Sequence, residues 1–275
     1  MMKLGFNQAT CMNNSNLYND LLLAEKYGYD FIEIRIDMLR DYLEEYSIAD
    51  LKKFFSKSHL QPIGYNSIEN INFCDKNSWQ VIHDDIAFAC QVSQEIGGEF
   101  IVVVPTIKDG VLWNSEEVFE DSIKVLNKVA DQVAPYGLKV AFEPIGSQYC
   151  CVRSLDEAYA IVEAVNKKNV GLVIDAFNLY LYDQWKDIDV LDKIPLEKIF
   201  IYHIDDADDL PIEILDHCHR LFPGNGVIDL GKISKALKDK GFAGVCSLEL
   251  FNPGYWMLSP EHVFQIGAKK SRKYL

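Results

Sequence analysis

The chain has 275 residues, 49% of them hydrophobic, and its 27 Lys and Arg against 41 Asp and Glu give a formal net charge of −14. This composition excludes a disordered chain or a low-complexity repeat, and the length allows a large buried core. Nucleic-acid binding depends on Lys and Arg side chains that neutralise phosphates, so the acidic balance also argues against a nucleic-acid partner.

Eight short apolar or β-branched runs bounded by turn residues predict eight strands. The runs cover residues 4–7, 31–36, 62–67, 100–105, 139–143, 170–175, 198–205 and 245–250. The segments between them carry helical patterns, and those at 115–134 and 154–165 begin with capping residues. Strand therefore alternates with helix along the whole chain.

This alternation predicts an α/β protein with a single (β/α)8 barrel domain spanning residues 1–275. An open doubly wound sheet is the alternative, but that fold has a Gly-rich turn after its first strand, and residues 6–10 (FNQAT) do not supply one. The polar segment 207–226 is longer than an ordinary βα loop. We expect this segment to contribute to function.

Polar residues end the predicted strands. In a parallel barrel the carboxyl ends of the strands meet at one mouth, where active sites are built. The residues at these ends are Asn7, Glu33 with Arg35, Asn66, Thr106, Glu143, Asp175, His203 with Asp205, and Glu249. The sequence therefore predicts a polar site at the mouth.

Four of these residues, Glu143, Asp175, His203 and Glu249, end the last four strands in succession. Three carboxylates at one point raise one another's pKa values and oppose ionisation, so a bound cation is expected. Oxygen-rich ligation with one imidazole favours Mn²⁺, with Mg²⁺, Co²⁺ or Zn²⁺ as alternatives. Taken singly, each carboxylate has an alternative role as a helix cap or a solvated group.

At these residues the sequence resembles the xylose-isomerase-like superfamily of TIM barrels, also called the sugar phosphate isomerase/epimerase superfamily. The resemblance covers the whole chain and is strongest to the inosose (2-keto-myo-inositol) isomerase subgroup. The segments that carry it are residues 6–10, 14–17, 29–35, 169–175, 199–206, 223–230 and 247–251.

The resemblance implies a divalent-metal-dependent isomerase or epimerase that converts a keto-sugar or keto-cyclitol through an enediolate. In related epimerases two metal-bound glutamates move the proton, which gives Glu143 and Glu249 catalytic roles. Arg220 matches a position that contacts a substrate oxygen, with an ordinary loop arginine as the alternative. The family usually has a substrate-contacting His three residues after Asp175, but Asn178 stands there. An amide can hydrogen-bond a hydroxyl group but cannot carry a proton at neutral pH.

Further residues near the mouth are candidate substrate contacts: Asn7, Glu33, Arg35, Asn66 and Trp256. A supporting Glu33–Arg35 ion pair is the alternative for two of them, and lid or dimer packing is the alternative for Trp256. Asp205 is a candidate support for a metal-bound His203, with an outward-facing side chain as its alternative.

The run His217-Cys218-His219 has metal-binding residue types. It lacks further ligands at a suitable spacing, so we expect a solvated loop there.

Four other activities remain open within the resemblance: ketose 3-epimerase, hydroxypyruvate isomerase, inosose dehydratase, and a sugar-binding barrel without catalysis. The apurinic-site endonuclease branch needs a trinuclear site with more histidines and a basic DNA surface, whereas this chain has six His and a charge of −14. We therefore expect a small-molecule keto-sugar or cyclitol partner and no nucleic acid, and leave a homo-oligomer open.

The N-terminal residues lack the apolar run of a signal peptide, and no segment approaches the roughly 20 apolar residues of a membrane span. We therefore expect a cytoplasmic protein with no membrane partner. The seven cysteines include no Cys-x-x-Cys pair and are expected to be reduced, with the adjacent pair Cys150 and Cys151 as an alternative redox or soft-metal site.

Overall fold

Eight parallel strands close into a barrel in the computed structural model, which describes residues 1–186 and 188–275. The strands follow chain order around the barrel, and the first strand pairs with both the second and the last. They are β1 (Lys3–Asn7), β2 (Phe31–Arg35), β3 (Gln61–Ile68), β4 (Phe100–Val103), β5 (Lys139–Phe142), β6 (Val170–Asp175), β7 (Ile199–Ile204) and β8 (Val245–Leu248). The predicted barrel is confirmed, and the open-sheet alternative is wrong.

Helices lie between the strands and follow the last one. The α-helices are α1 (Leu17–Lys26), α2 (Ile36–Glu45), α3 (Ile48–Phe55), α4 (Lys76–Ile96), α5 (Ser115–Val133), α6 (Leu155–Val165), α7 (Ala176–Asp183), α8 (Val190–Lys193), α9 (Leu230–Asp239), α10 (Pro253–Trp256) and α11 (Pro260–Ser271). Short 3₁₀ helices are Gln8–Cys11, Ala134–Tyr136, Leu196–Lys198, Ile212–Ile214 and His217–His219. None of the helices among the described residues has both the length and the apolar character needed to cross a bilayer.

The strands read as continuous apolar runs because both of their faces are buried. Along β4 and β6, Val102 and Val173 pack with Ile201 in one cluster inside the barrel. The next residues, Val103 and Ile174, join the larger cluster that contains the helix side chains. Side chains that alternate between two apolar layers leave a strand no polar face until it reaches its end.

The segment between β7 and β8 is ordered by a two-stranded antiparallel pair, Asp206–Ala207 with Arg220–Leu221. The Asp206 carboxylate accepts backbone hydrogen bonds from Gly226 at 2.9 Å and Ile228 at 2.9 Å. A Cβ atom on Gly226 would lie 2.0 Å from a backbone carbonyl oxygen, so only glycine allows this approach. This arrangement holds Arg220 at the barrel mouth.

The seven cysteines are all free thiols. Cys150 and Cys151 are buried, and their Sγ atoms donate to the Val152 carbonyl at 3.2 Å and to the Asn72 side-chain oxygen at 3.3 Å. Both thiols therefore have hydrogen-bond acceptors within the protein.

A buried carboxylic acid, Asp20, lies in α1 with no solvent exposure. Its Oδ2 accepts a 2.7 Å hydrogen bond from Gln8, whereas its Oδ1 has no partner among the described residues. Burial raises the pKa of Asp20 from 3.8 to about 7, against the opposing effect of the nearby Ser15 hydroxyl and of the Gln8 amide.

We therefore predict that Asp20→Asn changes the pH dependence of stability. At pH values between the unfolded and the folded pKa of Asp20, the native state binds more protons than the unfolded state. The contribution of Asp20 to the free energy of unfolding therefore falls as pH rises from about 4 to about 7. The variant lacks this loss of stability, which is at most about 4 kcal/mol in the free energy of unfolding. Urea unfolding at pH 5 and pH 8 measures the part of this loss that lies above pH 5, about 3 kcal/mol, with the exposed Asp41→Asn as control. The same pH slope in both variants would contradict the assignment.

Candidate metal centre and active site

The strand ends bring Glu143, Asp175, His203 and Glu249 together, all of them buried. Asp175 is the last residue of β6, His203 lies opposite it in β7, and Glu143 and Glu249 directly follow β5 and β8. One ligand atom from each residue lies within 4.8 Å of the others. The four side chains thus converge on one point at the barrel mouth.

The spacing of these atoms fits a divalent cation. The Nδ1 atom of His203 lies 3.2 Å from Glu249 Oε2, 3.6 Å from Glu143 Oε1 and 3.7 Å from Asp175 Oδ2. Ligands about 2.1 Å from a tetrahedral ion are about 3.4 Å apart. His203 Nδ1 is also buried without a hydrogen-bond partner among the described residues, as expected of an atom that ligates a metal.

Asp175 caps a helix with one oxygen and faces the cluster with the other. Its Oδ1 accepts a 2.6 Å hydrogen bond from the backbone N–H of Asn178 and so caps α7. Its Oδ2 faces the other three side chains. The cap fixes the carboxylate plane and therefore the direction of the second oxygen.

Glu33 orients the imidazole of His203. Its Oε2 lies 3.1 Å from His203 Nε2, and both side chains are fully buried. Because carboxylate oxygens accept hydrogen bonds, Nε2 donates its proton here and Nδ1 is the nitrogen that faces the carboxylates. This support was predicted for Asp205, but the structure places Glu33 behind the imidazole.

Asp205 instead holds Arg220. It is buried, with Oδ2 at 2.7 Å from the Nη1 atom of Arg220, and its Oδ1 accepts from the Phe177 backbone N–H at 2.8 Å. The outward-facing alternative for Asp205 is therefore wrong. Arg220 Nη1 also lies 3.1 Å from Asp175 and 2.7 Å from Glu249, so one guanidinium contacts three carboxylates.

The site carries more negative than positive charge. Burial and the charge of Glu249 raise the pKa of Glu143 to about 7. Burial acts the same way on Glu249, but His203 and Arg220 outweigh it and hold the pKa of Glu249 below its usual range. Burial disfavours the imidazolium of His203, yet Glu249, Glu33 and Glu143 outweigh it and raise its pKa. The potential that favours a proton on His203 equally favours a divalent cation in its place.

Three asparagine amides fix the two glutamates. Asn7 and Asn66 donate to Glu249 Oε1 at 2.7 and 3.3 Å, and Asn178 donates to Glu143 Oε1 at 2.9 Å. These contacts leave Glu249 Oε2 directed at His203 and Arg220. The amide at position 178 therefore contacts a predicted metal ligand.

A cavity of about 270 Å³ opens beside these residues, which is a size suited to a small molecule. Its lining residues are Asn66, Ser67, Glu69, Val104, Ile107, Glu143, Ile145, His217, Arg220, Glu249 and Phe251. A larger cavity of about 310 Å³, between α6 and the segment from α7 to α8, contains none of the predicted site residues. The smaller cavity is the candidate substrate site because Glu143, Glu249 and Arg220 line it.

Five predicted substrate contacts lie outside the lining of this cavity: Asn7, Glu33, Arg35, Asn178 and Trp256. Asn7, Glu33 and Asn178 instead contact Glu249, His203 and Glu143. Arg35 pairs with Asp37 at 2.8 Å rather than with Glu33. The indole N–H of Trp256 donates to the Ala9 carbonyl at 3.3 Å.

The residue that sequence reasoning missed is His217. A solvated loop was expected at 217–219, and for His217 this was wrong, because its ring lines the cavity. The adjacent Cys218 and His219 are partly exposed, and the Asp216 carboxylate and the His219 ring cap the 3₁₀ turn. The length and polarity of segment 207–226 were the only sequence signals for this contribution.

Comparisons with known proteins agree with this geometry. The family described as Xylose isomerase-like TIM barrel matches residues 21–274. The inosose isomerase of Bacillus velezensis is 40% identical over 265 residues, covering 96% of this chain and 94% of that protein, and that of Bacillus subtilis is 40% identical over 269 residues, covering 98% and 96%.

Similarity extends to a solved structure over nearly the full length. A crystal structure described as the IOLI protein with a binding zinc atom superposes with a TM-score of 0.94 at 39% identity, covering 99% of this chain and 98% of that one. The family resemblance of the sequence is confirmed: the chain belongs to the xylose isomerase-like TIM barrel family.

Proposed function

We propose that the protein is a divalent-metal-dependent isomerase of an inosose-type keto-cyclitol. The observation that carries this proposal is the buried group of three carboxylates and one imidazole within 4.8 Å, beside a cavity of small-molecule size. The names of the relatives, inosose isomerase at 38–40% identity, support the substrate class.

The metal ligands in this proposal are Glu143, Asp175, His203 and Glu249. When bound, the ion supplies a Lewis acid for a carbonyl oxygen and its neighbouring hydroxyl oxygen. The oxygen-rich ligand set favours Mn²⁺, whereas the zinc atom named for the similar IOLI structure favours Zn²⁺. A divalent ion is common to both arguments.

The proton is moved by Glu143 and Glu249. They follow β5 and β8, with two strands between them, so a substrate at the mouth lies between two carboxylates. One carboxylate takes the proton from the carbon next to the carbonyl; the C–H electron pair forms a C=C bond, and the carbonyl π pair moves to oxygen as an enediolate. A proton returned to the former carbonyl carbon, with transfer of the hydroxyl proton between oxygens, moves the ketone by one carbon.

The neighbouring polar groups keep these carboxylates in position. Asn7 and Asn66 hold Glu249, and Asn178 holds Glu143, through amide donors. Arg220 lies at the cavity wall beside Glu249, where its guanidinium can donate to a substrate oxygen. The inosose substrate suggests a cytoplasmic role in inositol catabolism, which is consistent with the free cysteines.

We predict that the metal-loaded protein exchanges deuterium from D₂O into 2-keto-myo-inositol at a carbon next to the carbonyl. Glu143→Gln and Glu249→Gln should each slow this exchange at least 100-fold, because each removes a group able to take up the proton. Proton NMR of the cyclitol ring measures the exchange, and exposed Glu44→Gln is the matched control.

The product distinguishes this activity from its alternatives. A shifted ketone identifies isomerisation, an inverted carbon identifies epimerisation, and loss of a hydroxyl group identifies dehydration. Absence of exchange with 2-keto-myo-inositol, fructose and hydroxypyruvate would rule out the enediolate chemistry.

We predict that Glu33→Gln weakens metal affinity by about 10- to 100-fold while the barrel stays folded. The amide has one acceptor oxygen and no charge, so it orients the imidazole of His203 less strongly and stabilises its bound form less. Competition with a chelator for Zn²⁺ measures the affinity, with Glu44→Gln again as control. Unchanged affinity would show that the contact between Glu33 and His203 does not support metal binding.

A further inference from the structure

His217 is a cavity residue for which the chemistry above has no role. It begins the 3₁₀ helix His217–His219 within the long segment between β7 and β8. Its ring lies near two phenyl rings, with centroids 6.4 Å from Phe177 and 5.6 Å from Phe251. The imidazole is therefore held by aromatic packing at the same cavity as Glu143 and Glu249.

Arg220 determines which ring nitrogen of His217 carries the proton. The Nη2 atom of Arg220 lies 3.3 Å from His217 Nδ1. A guanidinium group only donates hydrogen bonds, so Nδ1 accepts and the proton of the neutral ring is on Nε2. Burial and the charge of Arg220 also lower the pKa of His217 to about 4, which agrees with a neutral ring.

The position of Arg220 is itself fixed, which makes this choice of tautomer stable. Its other terminal nitrogen, Nη1, contacts the carboxylates of Asp175, Asp205 and Glu249. The guanidinium cannot turn away from His217 without losing three charged contacts. A buried arginine thus keeps His217 Nδ1 as an acceptor.

The remaining group, Nε2–H of His217, has no partner among residues 1–186 and 188–275. Nε2 is not among the fully buried unpartnered atoms, so it stays within reach of a molecule from solvent. Two uncharged polar side chains of the cavity are engaged: Asn66 donates to Glu249, and Ser67 donates to Glu69 at 2.9 Å. The cavity therefore presents an uncharged donor with a fixed direction.

We propose that His217 binds the substrate through its Nε2–H, which donates a hydrogen bond to a hydroxyl or carbonyl oxygen of a polyhydroxy ketone. This inference rests on the proposed function for the class of ligand. A donor of fixed direction at the cavity favours a substrate with an oxygen at that position, because a ligand that excludes water there without supplying an oxygen leaves the donor unpaired. His217 is therefore a specificity-determining residue supplied by a loop rather than by a strand.

Two substitutions separate substrate binding from the alternative that His217 only positions Arg220. In His217→Asn the amide oxygen can take the place of Nδ1 and accept from Arg220, but nothing replaces Nε2. In His217→Gln the longer amide can place its nitrogen near Nε2, whereas the acceptor for Arg220 is lost. Asn thus keeps the acceptor for Arg220, and Gln keeps the donor to the substrate.

Calorimetric titration of the Zn²⁺-loaded protein with 2-keto-myo-inositol measures the effect. We expect His217→Asn to raise Kd about tenfold and His217→Gln to stay within about threefold of the parent protein. The reverse order, or equal Kd values in all three proteins, overturns the inference. Metal content and the unfolding midpoint, both expected to be unchanged, confirm that the variants differ only locally.

Binding and turnover are measured apart, so the two proposals can fail separately. Tight binding that depends on His217, without deuterium exchange, supports this inference and contradicts the proposed function. Absence of binding to the parent protein overturns the inference.

A second measurement does not depend on the variants being folded. The ¹⁵N spectrum of the imidazole rings in the parent protein reports which nitrogen of His217 is protonated. We expect an unprotonated Nδ1 and a protonated Nε2 whose resonance shifts on addition of 2-keto-myo-inositol. A proton on Nδ1 of the neutral ring, or an Nε2 resonance unaffected by the ligand, overturns the inference.

Discussion

Buried negative charge at the barrel mouth is the constraint on which the rest of the site depends. Among the described residues, five carboxylates are buried there, those of Glu33, Glu143, Asp175, Asp205 and Glu249. Removing such groups from water costs several kcal/mol each unless positive partners and hydrogen bonds compensate. One guanidinium and one imidazole offset only part of this charge, and a divalent cation is the partner that the geometry and the residue types accommodate.

The strand ends of the barrel and one long loop contribute different groups to the site. Parallel strands place their last residues at one height, which brings Asp175 opposite His203 and sets Glu143 and Glu249 on either side. The long segment before β8 adds two groups to the site, the charged guanidinium of Arg220 and the neutral imidazole of His217, which contact each other. Strand ends thus supply the carboxylates and imidazole of the proposed metal site, and the loop supplies the groups proposed to contact substrate oxygens.

The barrel and the four converging side chains were predictable from the sequence, because buried strands have a strong apolar signal and parallel strands share a direction. The partners of individual side chains were not. Glu33 and Asp205 each follow a strand pattern, but which contacts His203 and which contacts Arg220 depends on packing across the barrel. His217 lies in a segment without periodicity, so only the folded chain shows that its ring faces the cavity.

X-ray absorption at the zinc K-edge of the Zn²⁺-loaded protein tests the proposed metal centre most directly. We expect the zinc ion to have one nitrogen ligand and otherwise only oxygen ligands, at about 2.0 to 2.2 Å, if it is bound by Glu143, Asp175, His203 and Glu249. The other group with metal-binding residue types among the described residues is Asp216, Cys218 and His219, which includes a thiol. A sulfur ligand at about 2.3 Å would therefore contradict the account.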